Sequence, residues 1–186
     1  MNKHGMGACL FLAAVSSQAV RGQEQAAPKP ATKLEAFQAK TGTVVIRGYT
    51  TVGKVSGLGG DVTVDAREFK DGSNPNTPRV TGISVNVKET GRLERENTSF
   101  IDADEVDSLL KGIDYIDKIT KDVTSLDLFE AEYRTKGDLR ITVFNDPRGG
   151  LSVAVSSGQI SRTSAYLKMS QLDTFRSLIV AAKSKI

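Results

Sequence analysis

Leu126 to Ile186 reads LDLFEAEYRTKGDLRITVFNDPRGGLSVAVSSGQISRTSAYLKMSQLDTFRSLIVAAKSKI, and two periodicities in it decide the fold. Leu139, Ile141 and Val143 alternate with Arg140 and Thr142, and Leu151, Val153 and Val155 alternate with Ser152, Ala154 and Ser156. That is the period of two that half-buried strands impose. Leu172, Phe175, Leu178, Ile179, Ala182 and Ile186 then recur at helical spacing along one stripe. Ser170 with Asp173 three residues on predicts the helix start as a capping pair, and Lys183 and Lys185 stand where the negative end of the dipole favours cations. Lys136-Gly137-Asp138, Gly149-Gly150 and Ser157-Gly158 separate the runs as turns, so the connections are hairpins and the sheet is antiparallel.

Side-chain sorting sets the register of the first hairpin. With a three-residue loop at Lys136-Gly137-Asp138, Tyr133 faces Ile141 and Ala131 faces Val143, while Glu130, Glu132, Arg134, Arg140 and Thr142 share the other face. A two-residue loop would set Tyr133 against Arg140 and mix the faces.

The same grammar extends upstream. Thr43 to Ile46 and Val52 to Val55 carry strand formers, with Gly48 and Gly53 predicting a bulge or bend between them. Val62, Val64 and Ala66 alternate with polar residues, as do Ile83, Val85 and Val87, across a turn-rich loop from Asp71 to Pro78. A further strand runs from Arg92 to Ile101. Asp102, with Glu105 three residues on, is expected to open a helix whose stripe is Val106, Leu109, Leu110, Ile113 and Ile116.

Thr98-Ser99-Phe100-Ile101, four residues, then Val106-Asp107-Ser108-Leu109 parallels Ser164-Ala165-Tyr166-Leu167, four residues, then Leu172-Asp173-Thr174-Phe175. The chain is therefore expected to be α+β, an antiparallel β-rich fold of two ββββα-like units, 42–121 and 122–186, each closed by an amphipathic helix. The two units are allowed to merge into one domain. Four antiparallel strands followed by a helix, present twice, resembles the architecture of the PUR repeat and, less closely, of the Whirly proteins. The resemblance implies single-stranded nucleic-acid binding on curved sheets; it rests on element order and assigns no binding residues.

The N-terminus has a different character. Lys3 precedes an apolar run from Ala8 to Val15, and small residues follow at Ser17, Ala19 and Gly22, a pattern that predicts a secretory signal peptide over residues 1–22. Residues 23–41, rich in Ala, Pro, Lys and Gln, are expected to be a flexible linker, with a turn of helix allowed over Lys33 to Ala39. Localisation is accordingly expected to be exported, periplasmic or extracellular. Cys9 and His4 are the only Cys and His of the 186 residues and both precede the cleavage region. A processed chain would also lose Lys3 and Arg21, which takes the 25 basic residues down by two, against 22 acidic ones, to a formal charge of +1. That balance speaks against a phosphate-neutralising surface. With neither His nor Cys, a Ser-His-Asp triad, a thiolate nucleophile and the usual zinc sites are excluded.

No cofactor is expected. Function is expected to be that of an exported, non-enzymatic binding or protein-interaction module, its partner a protein or small ligand, with homodimerisation allowed; the alternative is a single-stranded nucleic-acid-binding protein. The candidate face is the outer surface of the last sheet: Arg134, Arg140, Thr142 and Arg162 as an anion-seeking group, with Ser152 and Ser156 on a small-residue strip. Asp102, Asp104, Glu105 and Asp107 place four carboxylates within a turn and a half, a composition suited to a hard cation, although EF-hand spacing is absent. Tyr133 and Tyr166 are expected at core positions or their rims.

Overall fold

The structure is a computed structural model that describes residues 30–186 except 75, 147 and 148. The predicted signal peptide and residues 23–29 of the linker lie outside the described residues.

Two four-stranded antiparallel meanders form the scaffold. The first runs β1 (Val45–Gly57), β2 (Gly60–Asp71), β3 (Val80–Glu89), β4 (Arg95–Asp102). Its alternation sorts as the pleat requires: Val62 pairs with Val87, Val64 with Val85 and Ala66 with Ile83, and all six are buried on one face. The bulge expected near Gly53 is present as a register shift between Thr51 and Gly53. The Leu58-Gly59 turn closes the first hairpin with Gly59 at φ +76, where a side chain would be strained.

Helix α2 (Val106–Asp117) follows, burying Val106, Leu109, Ile113 and Ile116. Asp102 does not open it. Asp102 ends β4, Glu105 occupies the cap position and makes no side-chain capping bond. The Asp102 carboxylate is claimed elsewhere: it accepts the backbone N–H groups of Lys33 (2.8 Å) and Leu34 (3.1 Å) at the start of α1 (Lys33–Gln38). That helix falls where the linker stretch allows a turn of helix, Lys33 to Ala39. Thr32 and Glu35 form a true capping box, and Leu34 and Phe37 pack with Phe69 on the outer face of the first sheet. The six residues of α1 carry too short an apolar pattern to show from the sequence that it packs on the first sheet.

The second sheet comprises β5 (Glu130–Arg134), β6 (Leu139–Asn145), β7 (Leu151–Ser157) and β8 (Thr163–Lys168). Its first hairpin has the register that side-chain sorting demands, Tyr133 with Ile141 and Ala131 with Val143. Asp138 sits at φ 61, the left-handed position that a three-residue loop needs. Helix α3 (Met169–Lys183) starts one residue before Ser170. Its first turn is held by Gln171, whose Oε1 accepts the Lys168 N–H at 2.9 Å, instead of by the Ser170–Asp173 pair.

The units are entwined. α2 packs on β5 and β6 of the second unit, and α3 on β1 and β2 of the first. The hairpin turns cross over in the same sense: Leu58 exchanges two backbone hydrogen bonds with Tyr166 in β8, and Gly137 abuts the Phe100 carbonyl in β4. Phe100 and Tyr166 are the equivalent residues of the two units. One buried cluster therefore holds Val64 and Ile83 together with Leu109, Ile141, Val155 and Phe175. Among the described residues, no helix is long and apolar enough to cross a membrane.

Candidate functional site

Because residues alternate along each strand, the core takes Leu139, Ile141, Val143, Val153, Val155, Ala165 and Leu167, and everything between them is displayed outside. The register arranges that display in three cross-strand rows. The first is Arg134, Arg140, Ser156, Ser164; the second Glu132, Thr142, Ala154, Tyr166; the third Glu130, Phe144, Ser152, Lys168.

A cleft of about 310 Å³ lies on these rows, lined by Glu130, Glu132, Thr142, Phe144, Ala154, Ser156, Arg162, Ser164 and Tyr166. The small side chains of Ala154, Ser156 and Ser164 make the depression between larger neighbours. The Ser156 and Ser164 hydroxyls are hydrogen-bonded to each other at 2.8 Å. One wall is aromatic: Phe144 and Tyr166 meet edge to face, centroids 6.3 Å apart, and Tyr166 remains 46% exposed.

The predicted residues divide by how fully they are occupied. Arg134 is paired with Asp138, its Nε donating at 2.7 Å, which folds it onto its own hairpin. Arg140 lies down in the sheet face with its side chain 16% exposed, 3.7 Å from Glu132, and its buried Nε has no hydrogen-bond acceptor among the described residues. Thr142 donates to Glu132 at 3.3 Å and Ser152 to Asp146 at 3.1 Å. Arg162 stands on the cleft rim with no ion-pair partner among the described residues. Arg140, Thr142, Arg162 and Ser156 thus converge on the cleft or its end, while Arg134 is turned away.

Tyr166 is on the outer face, not in the core, and the sign was available: it lies between Ala165 and Leu167, both buried, so period two places it outside.

The acidic run disperses. Asp102 caps α1; Asp104 pairs with Lys33 at 2.6 Å; Asp107 with Lys183 at 2.5 Å. The Lys33 hydrogen bond holds the Asp104 carboxyl below its ordinary value. Glu105 accepts the Lys136 N–H at 2.8 Å through Oε1. Among the described residues, no group of three or more metal-ligating side chains is drawn together. No protein-family model matches the chain, and no curated protein matches it.

Proposed function

We propose that the protein is an exported, non-enzymatic binding module that takes its partner on the outer face of the second sheet. The observation that carries this reading is the juxtaposition, within one cleft, of the Phe144–Tyr166 wall, the Ser156–Ser164 floor and Arg162, which has no ion-pair partner among the described residues. Exposed aromatic and arginine side chains beside each other are the common anchors of protein interfaces. Glu130, Glu132 and Arg162 line the cleft and Arg140 lies 3.7 Å from Glu132, so the face carries both signs and suits a mixed-charge peptide segment better than a polyanion.

Peptides selected from a random display library on the immobilised protein provide the test. Their affinity should fall about tenfold or more on Tyr166→Ala or Arg162→Ala, the loss typical of an interface anchor. Undiminished binding by both variants would remove this face from the reading. Export rests on the pattern of Lys3, Ala8 to Val15 and Ala19 to Gly22; N-terminal sequencing of the native protein should begin near residue 20 or 23, and a chain beginning at Met1 would refute it.

A second reading, a single-stranded nucleic-acid binder of PUR-like architecture, draws support from Arg67 stacked 4.8 Å from the exposed Tyr49 ring. Ring and guanidinium together are what sequence-tolerant base stacking uses. Retention on immobilised single-stranded DNA that declines steeply with salt is its signature.

A further inference from the structure

We infer that the outer edge of β1 is a self-association surface on which a second copy of this chain adds antiparallel, joining two first sheets into one eight-stranded sheet. The inference concerns a different face from the cleft and does not depend on it.

A sheet edge offers unpaired backbone donors and acceptors, and folded proteins ordinarily cover, shorten or charge such edges. Three of the four edges here are treated in that way. β8 exchanges Leu58 N–H to Tyr166 O at 2.8 Å and Tyr166 N–H to Leu58 O at 3.0 Å, and its Ser164 N–H reaches Glu89 at 2.9 Å. β4 is abutted by Gly137, and Asn97 bonds the Ser161 carbonyl. β5 is five residues long, with Glu130, Glu132 and Arg134 in alternation, and lies beside α2. β1 is thirteen residues long, and its protection is confined to its far end: the Gln171 side chain holds the Ser56 carbonyl at 2.8 Å, and the bulge falls between Thr51 and Gly53.

The stretch left over is Val45–Thr51. Among the described residues, nothing outside β2 bonds to its main chain, and Ile46 to Thr51 are all exposed. Its one charge is Arg47, which has no ion-pair partner among the described residues. Val44, Ile46 and Tyr49 are 64%, 51% and 67% exposed.

The choice of a second copy follows from the symmetry of this stretch. Its regular register spans Val45 to Thr51, and the midpoint is Gly48. A two-fold axis through Gly48 pairs Arg47 with the other copy's Tyr49, Ile46 with its Thr50 and Val45 with its Thr51. No like charges oppose each other, and every pair is aromatic–cation or contains β-branched residues, the favourable cross-strand classes. Gly48 on the axis presents no side chain to obstruct the approach. An isologous dimer uses the whole unbulged stretch of both strands.

Sedimentation or light scattering of the full chain over a wide concentration range tests this. The expected mass is that of two chains, halving in Ile46→Lys/Tyr49→Lys with the far-ultraviolet circular dichroism unchanged. In a Cys9→Ser background, Gly48→Cys should form a covalent dimer under mild oxidation and Thr50→Cys should not, because only position 48 meets its own copy. A Cβ at Gly48 has its nearest neighbours at 3.7 and 3.8 Å, so this variant folds even where the lysine pair does not. A single-chain mass throughout, a dimer that survives the lysines, cross-linking at position 50 instead of 48, or a monomer that takes up another extended peptide on β1 would each overturn the inference.

Discussion

Asp102 shows how much one carboxylate can organise when it is buried. It closes β4, and with both oxygens it accepts the first-turn N–H groups of α1, sixty-eight and sixty-nine residues away in the chain. Helix starts carry orphan donors and a partial positive charge, so a carboxylate there satisfies both needs. Asp102→Ala should cost about 1–3 kcal/mol of unfolding free energy, since it strands two donors beneath α1; chemical denaturation followed by circular dichroism measures it. Asp114 makes a different link, from α2 to α3. Arg176 donates to it at 2.5 and 3.1 Å, and that hydrogen bond, with the guanidinium charge, holds the Asp114 carboxyl below its ordinary 3.8. Thr43 and Lys33 lower Asp71 and Asp104 in the same direction. A folded-state value below the unfolded one contributes stability that is complete above the ordinary value and disappears as pH falls through the folded value. Melting temperature should therefore decline below the ordinary carboxylate range, and the decline should be shallower in Asp114→Asn than in the wild type.

Elements here are held as much by what crosses to them as by their own sequence. The β5–β6 turn is a local device, with Asp138 in the left-handed region, yet its Gly137 is required by a neighbour from the other unit. A Cβ at 137 would intrude on the carbonyl oxygen of Phe100, whereas one at Gly91 meets open space. Gly137→Ala should destabilise by about 1–3 kcal/mol and Gly91→Ala by less than about 0.5 kcal/mol, in parallel denaturant titrations. The same crossing explains which parts of the elements were legible in advance. Strand alternation and the stripes of α2 and α3 belong to each segment alone, so Val62 to Ala66 or Leu172 to Ile186 announce themselves. Capping assignments failed at both long helices because Asp102 and Ser170 satisfy a sequence pattern that tertiary contacts overrule: Asp102 is drawn to α1, and Gln171 holds the first turn of α3.

At the scale of the molecule, the two ββββα-like units are expected to be unable to fold apart. α3 supplies the cover for β1 and β2, and α2 that for β5 and β6, so each unit alone would expose the face its counterpart buries. A chain of residues 42–121 should lack cooperative thermal unfolding and bind a hydrophobic dye, while the full chain melts in one transition; an independently cooperative half would contradict the shared core.

The sequence by itself determined the α+β class, the meander order, the hairpin register and the sorting of Arg140, Thr142 and Ser156 to an outer face. These follow from periodicity and turn length, which act over a few residues. Which charges were already spent, that Phe144 and Tyr166 wall the cleft, and that α1, α2 and α3 lie where they do were decided by tertiary structure. A side chain's partner is chosen by proximity in space, and Asp102 with Leu34, or Leu58 with Tyr166, are brought together only when the two sheets close on one core.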